Sequence, residues 1–408
     1  MLANGLDSLL FSYVPTIVLA LIIISWLLNV FSRAESPQIV YASSEKDADS
    51  THGRALAQNC PILVERYAPP LLWGRNGHIQ TLLFGIVGRI RPPRPSGRRE
   101  TRISRDGASV AFDVFDSTID PSKPIIIVCP GIGGSVESSS VRVFVDYATS
   151  FGHGVVVFNH VGVVCSVRQR RLFTYGGTDD FDVAVQYAKE KFRCHGLVGV
   201  GVSMGANILV KYLGEKPRRQ KDFLCAMSVC QGYDILKVKR LLTQWDQGRF
   251  FYNYLITKKV LQTVKRNSNI FDTVKAGDGS MATVPLPNKE RTLSATSLYE
   301  IDEYLQRRLH GYESVEDYYR EHSCCNYLDK VTDVPLLIVN ASDDPLVPES
   351  LMSIARNYAA KNSNALFVQT KHGGHLGFFE GRLLVPRTVS WIDRLAIEFI
   401  NAVIQMKL

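Results

Sequence analysis

Paired cysteines at metal-binding spacing are missing. The eight cysteines, Cys60, Cys129, Cys165, Cys194, Cys225, Cys230, Cys324 and Cys325, form no CxxC and no run with ligand spacing. That excludes zinc-finger and zinc-ribbon readings and leaves no sequence sign of a metal site. Cys129, Cys225 and Cys230 lie in or beside apolar β-like runs, where a cysteine acts as a small buried hydrophobe. A Walker loop, a dinucleotide glycine fingerprint and an RNA-binding aromatic signature are also missing. The net charge of +8 therefore has no nucleic-acid motif to serve, and no cofactor is implied. Basic residues are absent ahead of the first apolar run, which begins after Asp7. A cleaved secretory leader, which carries a positive flank and a small-residue cleavage site, is therefore not expected.

Charge of either sign is absent from Ser8 to Ser32, whose centre reads Ile17-Val18-Leu19-Ala20-Leu21-Ile22-Ile23-Ile24. As a helix this stretch reaches about 37 Å, against a bilayer hydrocarbon core of about 30 Å. It is expected to be an uncleaved, single-pass anchor over 9–32, following a short tail at 1–8, with Trp26 near one interface. Arg33 and Lys46 on its carboxyl side favour a cytosolic catalytic domain, although Glu35, Glu45 and Asp47 share that flank. Residues 33–60 are polar and aperiodic and are expected to form a tether. The arginine stretch from Arg89 to Arg105, interrupted by Pro92, Pro93 and Pro95, reads as a solvated connector or as a patch against anionic headgroups.

From 61 to 408 the pattern is that of one large domain. Short apolar runs at Val110–Phe115, Ile125–Cys129, Val155–Phe158, Leu197–Val202, Phe223–Val229, Leu336–Asn340 and Leu366–Gln369 read as strands. Helical patterns fall between them, at about 138–150, 179–192 and 206–213, and at the end over 388–405. Apolar strands without alternation, separated by helices, predict a mostly parallel sheet covered on both faces. The series is broken once, from about 233 to 326, by a segment of helical periodicity rich in aromatics. It lies between two strands of one sheet, so it reads as an insertion.

Gly201-Val202-Ser203-Met204-Gly205 matches G-x-S-x-G, follows a strand and opens a helix, the setting of a nucleophile elbow in an α/β-hydrolase fold. Gly201 and Gly205 relieve the turn, and Ser203 is the predicted nucleophile. Its weak hydroxyl needs a base oriented by an acid, in the chain order Ser, Asp or Glu, then His. The acid belongs after a late strand, where Asp343 and Asp344 compete. Asp344 directly precedes Pro345-Leu346-Val347 and is preferred, leaving Asp343 to bond the loop backbone. The base belongs after the last strand, where His372 and His375 compete across Gly373 and Gly374. His375 is preferred, with His372 as a supporting polar group. The oxyanion donors are expected to be the N–H groups of Met204 and Ile132, with Gly133 as the fallback for the second. Asn340-Ala341-Ser342 is a formal glycosylation sequon at a strand end.

Asn76-Gly77-His78-Ile79-Gln80-Thr81, the elbow continuing through Asn207 to Gly214, Asp343–Val347 and His372–Glu380 resemble the membrane-anchored α/β-hydrolase-domain lipases. The monoacylglycerol lipase branch looks closest. The resemblance covers nearly the whole chain. The loop Asn159–Cys165 departs from it, lacking an arginine that many relatives carry. It implies an α/β-hydrolase fold with a mostly parallel sheet, a helical lid and an amino-terminal transmembrane helix. It also implies hydrolysis of acylglycerol esters, with acetyl esters or longer glycerides as further substrates, by Ser203, Asp344 and His375. A signal-anchor of type II, in the plasma membrane or endoplasmic reticulum, is implied too, against the charge reading of orientation. The expected partners are a lipid ester and the bilayer holding it. A thioesterase or peptidase on the same triad, and a ligand-binding receptor retaining the fold, are the competing readings.

Overall fold

The computed structural model describes residues 16–25, 28–42, 52–116, 119–167, 169–193, 196–245, 248–272 and 286–406. Trp26, Lys46, Cys194, His195 and the stretch 273–285 lie outside them. The strands are β1 (Gln38–Val40), β2 (Arg98–Ile103), β3 (Ser109–Phe115), β4 (Ile125–Cys129), β5 (Gly154–Asn159), β6 (Leu197–Val202), β7 (Phe223–Val229), β8 (Leu336–Ala341) and β9 (Ala365–Thr370). They form one sheet in the order β1-β9-β8-β7-β6-β4-β5-β3-β2. The ladders from β9 across to β5 are parallel, and β1, β2 and β3 pair antiparallel at the edges.

Five consecutive apolar residues in β4 explain why the sheet is covered twice. Ile125, Ile127 and Cys129 enter one core, while Ile126 and Val128 enter the other. Successive side chains of a strand point to opposite faces, so such a run needs a partner layer on each. The principal helices are α1 (His52–Gln58), α2 (Gly77–Ile86), α3 (Ser139–Ser150), α4 (Asp179–Lys191), α5 (Met204–Glu215), α6 (Ile235–Leu242), α7 (Arg249–Arg266), α8 (Val315–His322), α9 (Glu349–Ala359) and α10 (Trp391–Met406). One face is covered by α4, α5 and α9 through Phe181, Leu209 and Met352, and the other by α1, α3 and α10 through Leu56, Phe144 and Phe399. Helix α4 starts on Asp179, Asp180 and Asp182 and ends on Lys189 and Lys191, the charge order that complements its dipole.

Two segments depart from expectation. The polar stretch 33–60 is not a free tether, because β1 pairs with β9 and α1 buries Leu56, with Cys60 buried just beyond it. The short strand and seven-residue helix carry too few apolar residues to show a period. In the arginine stretch, Arg98 and Arg99 lie on β2 and pair with Asp116 and Asp113 across the β2–β3 edge, and Arg89 is buried. Between α2 and β2 the stretch is an irregular connector with Arg91 and Arg94 exposed, whereas at Arg89, Arg98 and Arg99 it is not a free cationic patch. Asn340 is fully buried and accepts from Tyr233, which makes the sequon inaccessible.

Residues 16–25 are helical, with Ile17, Leu19, Leu21 and Ile22 more than half exposed. No helix among the described residues is long and apolar enough to cross a membrane. The chain after this helix is pinned to the body: Asn29 donates to the Arg75 carbonyl, and Ser32 meets His372 at 2.9 Å.

The insertion between β7 and β8 carries α6, α7 and α8. A buried polar knot ties it to the body. Lys239 Nζ lies 2.8 Å from Asp302 Oδ2, and Asp302 also accepts from the Tyr175 and Tyr319 hydroxyls at 2.6 Å each. Tyr175 belongs to the body and the other three to the insertion. Removing one member of a buried pair strands the other charge, a loss of about 3–5 kcal/mol. Asp302→Asn is therefore expected to lower unfolding free energy by that amount in urea titration. A Lys239→Met/Asp302→Leu double variant should recover most of it. A loss below about 1 kcal/mol for Asp302→Asn would show that the knot does not hold the insertion.

Candidate active site

Ser203 occupies the turn between β6 and α5 with φ 53° and ψ −118°. A side chain at positive φ is strained, and the surrounding structure must hold it. Both flanking glycines are required by contact. A Cβ at Gly201 would lie 2.6 Å from the Ala206 Cα, and one at Gly205 only 1.9 Å from the Cys129 carbonyl oxygen. The Ser203 N–H is meanwhile committed to the Val229 carbonyl at 2.8 Å. Serine thus stands at the amino end of α5, where the helix dipole favours a developing negative charge. That helix begins two residues earlier than periodicity predicts, because the elbow itself supplies its first turn.

The three predicted residues meet. Ser203 Oγ lies 2.9 Å from His375 Nε2, and His375 Nδ1 lies 2.9 Å from Asp344 Oδ2. The other Asp344 oxygen accepts the N–H groups of Leu346 and Val347, at 2.8 and 3.1 Å. The turn into Pro345 therefore fixes the carboxylate, and its free oxygen faces the imidazole. With that acceptor at Nδ1, the proton sits there and Nε2 offers its lone pair to Ser203. The rivals are placed apart. Asp343 Oδ1 accepts from the Gly374 N–H at 2.8 Å, and its Oδ2 faces His372 Nδ1 at 3.4 Å. Asp343 and His372 thus brace the histidine loop from behind, and burial raises the Asp343 carboxyl above its ordinary range.

The loop after β4 closes over Ser203. A Cβ at Gly131 would stand 3.3 Å from that of Ser203, and Gly133 takes φ 60° in the turn that follows. Ile132 and Met204 both line the cavity at Ser203, and among the described residues no protein acceptor meets the N–H of either. Gly133 instead lies under the Lys259 side chain of α7, with a Cβ there 3.0 Å from Lys259 Cε. Behind the loop, buried His160 meets the Pro130 carbonyl at 2.8 Å through Nε2, and burial pushes its pKa down to about 4. It is a neutral donor fixing the loop. The loop from Asn159 to Cys165, which lacks the arginine of many relatives, receives the Arg266 guanidinium of α7 on its Val163 carbonyl.

Sequence reasoning named the Asn76–Thr81 signature without giving it a role, and the structure supplies one. Asn76 caps α2, which lies against the histidine loop. Thr81 Oγ1 accepts the His375 N–H at 2.8 Å, and Gln80 Oε1 accepts that of Phe379 at 3.1 Å. Gly77 lies so close to Asp343 that a Cβ would meet its carbonyl at 1.9 Å. Nothing in a helical period signals such contacts, because they join residues nearly 300 positions apart.

Cys230 offers its sulfur within 4.8 Å of ligand atoms of Asp344 and His375. Burial raises its thiol well above the ordinary value, so it stays protonated, while Asp344 and His375 bond each other. These three fit a packed triad better than an ion site. The cavity over Ser203 and His375 is walled by Ile132, Val238, Ile256, Leu298 and Val347, and Tyr175 and Lys239 of the buried knot also line it.

Residues 124–382 match the family described as alpha/beta hydrolase fold. The human protein named monoacylglycerol lipase ABHD2 is 41% identical over 386 residues, covering 93% of this chain and 88% of that one. The Drosophila melanogaster abhydrolase domain-containing protein 2 is 34% identical over 97% of both chains. Mouse phospholipase ABHD3 is 27% identical over 92% of this chain and 86% of its own.

The geometry separates the two aspartates by experiment. Asp344→Asn removes the acceptor that sets the histidine tautomer, and kcat on an ester is expected to fall about 10⁴-fold. Asp343→Asn keeps an acceptor for Gly374 and should lose less than about tenfold. Equal losses would contradict the assignment.

Proposed function

The chain belongs to the alpha/beta hydrolase fold family, and on that premise we propose that it is a serine hydrolase of lipid carboxylic esters, with monoacylglycerols as its foremost substrates. The observation that carries this reading is the unbroken relay from Ser203 through His375 to Asp344, opening into an apolar cavity. Ser203 Oγ attacks the ester carbonyl while its proton passes to His375 Nε2. The oxyanion forms between the N–H groups of Ile132 and Met204, where one such donor is worth about 10²- to 10³-fold in rate. Collapse breaks the ester bond, and His375 returns the proton to the departing glycerol oxygen. Water, activated by the same imidazole, then releases the fatty acid. The apolar walls take the acyl chain. No metal or cofactor has a role in this scheme.

The substrate source in this reading is the bilayer. The apolar segment over 9–32 is a single-pass signal-anchor, and β1 and α1 after it dock on the body. Its root at Ser32 touches His372, which braces the loop of the catalytic histidine. On the insertion above the cavity, Trp245, Phe250, Phe251 and Tyr254 are exposed, an aromatic surface of the kind that sits at a membrane interface. Helix α7 carries most of these on its outer side while Ile256 lines the cavity, so the insertion acts as a lid with one face for lipid and one for substrate. Type II topology, in the plasma membrane or endoplasmic reticulum, belongs to the same proposal.

The test is a panel of monoacylglycerol, diacylglycerol, acetyl ester, phospholipid, thioester and peptide substrates, run on wild type and Ser203→Ala in parallel with fluorophosphonate labelling. Wild type is expected to label at Ser203 and to turn over monoacylglycerol fastest. Ser203→Ala should lose at least about 10⁴-fold. Turnover confined to thioesters or peptides would overturn the lipid-ester reading.

A further inference from the structure

Beyond the histidine loop the chain makes a short hairpin. Gly381 and Pro386 form an antiparallel bridge, and Arg382, Leu383, Leu384 and Val385 make the tip between them. Leu383, Leu384 and Val385 are 53%, 55% and 72% exposed, three neighbouring apolar side chains at one point of the surface. Single apolar residues scattered over a surface are ordinary, but a contiguous group points to a contact. Exposed Arg382 and Arg387 flank the tip. Their apolar stems and cationic heads suit the boundary between acyl chains and phosphate headgroups.

The tip is braced rather than loose. The N–H groups of Leu71 and Leu72 donate to the carbonyls of Arg382 and Leu383 at 2.9 and 3.1 Å, and Trp73 Nε1 donates to that of Leu384 at 2.7 Å. Three successive carbonyls of the tip are thus already satisfied, which lowers the penalty of moving it into an apolar medium. The bracing segment also holds two other apolar surfaces. Arg75 donates to the Val30 carbonyl at 2.5 Å, and Asn29 donates to that of Arg75 at 3.0 Å, where the amino-terminal segment meets the body. Phe31, at that root, is exposed. His78, at the start of α2, stacks on Tyr252 of α7 with ring centroids 5.9 Å apart and Nδ1 2.9 Å from the hydroxyl. Helix α7 carries the exposed Phe251 and Tyr254. Residues 71–78 therefore gather the hairpin tip, the root of the amino-terminal segment and the lid into one neighbourhood.

We propose that this hairpin tip is a second membrane contact, inserting Leu383, Leu384 and Val385 into a phospholipid bilayer and so presenting the active site to lipid-borne substrate. The insertion is argued from the tip itself, while its place beside an anchor and its service to catalysis rest on the bilayer and lipid-ester reading above. A single span sets how far the domain stands from the bilayer but leaves its tilt open. A second contact, joined through residues 71–78 to both the anchor root and the lid, fixes that tilt and keeps α7 at the lipid surface. The hairpin also continues the loop that carries His375, so the contact lies close to the chemistry without entering the substrate cavity.

The test uses the full chain in phosphatidylcholine nanodiscs that include a phospholipid with a diazirine in its acyl chain. After photolysis, trypsin cuts at Arg382 and Arg387, so the tip is mapped as a peptide of its own. That peptide is expected to carry label. The label should fall at least about tenfold in a Leu383→Ser/Leu384→Ser variant and persist in Leu384→Phe. The same double variant should lose at least about tenfold in kcat/KM on monoacylglycerol held in the nanodisc. On a water-soluble acetyl ester it should stay within about twofold of wild type, a split that general damage to the fold would not produce. No label on the tip peptide, label undiminished in the double serine variant, or equal losses on the two esters would each overturn the proposal. A wild type inactive on every ester would count instead against the hydrolase reading, and extraction of the chain by alkaline carbonate against the anchor. In both cases the peptide map would still decide the insertion.

Discussion

Everything in the candidate site is arranged around a backbone turn that only a crowded, glycine-flanked setting permits. Ser203 sits at positive φ, with Gly201 pressed on α5 and Gly205 pressed on the end of β4. The contact at Gly205 joins Ser203 to the strand whose following loop carries Ile132, so the hydroxyl and the predicted oxyanion donor are set by one close approach. The strain is offset by burial on both sides, since β6 is a central strand with parallel neighbours on each edge. A larger residue at either glycine would displace the serine and the donor loop together.

The parallel sheet then delivers the remaining parts to the same end. Strands β4, β6, β8 and β9 each finish beside the elbow, carrying Ile132, Ser203, Asp344 and His375 in turn. Precision comes from outside the sheet. Helix α2 holds the histidine loop through Thr81 and Gln80, and Asp343 with His372 braces it from the other side. His372 connects onward to Ser32 at the root of the apolar amino-terminal segment. The segment proposed to hold the protein at its bilayer is thus joined through hydrogen-bonded side chains to the loop that carries His375.

The strands and the triad were legible because their signals are local. Continuous apolar runs mark buried parallel strands, and G-x-S-x-G after such a run marks the elbow. Asp344 could be preferred over Asp343 because proline fixes the turn after it, and the structure places its carboxylate on His375. What the sequence concealed depends on distant partners. Gln38–Val40 is a strand only because β9 offers it an edge, and Arg98–Ile103 only because β3 does. Arg89 reads as one more cation in a basic stretch, yet it is buried on the rings of Phe84 and Phe379. Thr81 reads as an ordinary helical residue, and its tie to His375 has no trace in composition or period.

The central claim, that Ser203 forms an acyl-enzyme on this relay, is tested most directly by quenching the reaction with a monoacylglycerol during the first turnover and weighing the peptides. A single acyl group, esterified to the peptide containing Ser203, is expected before free fatty acid reaches its steady rate, and none in Ser203→Ala. Steady hydrolysis by Ser203→Ala at the wild-type rate, or an acyl group carried by another residue, would contradict it.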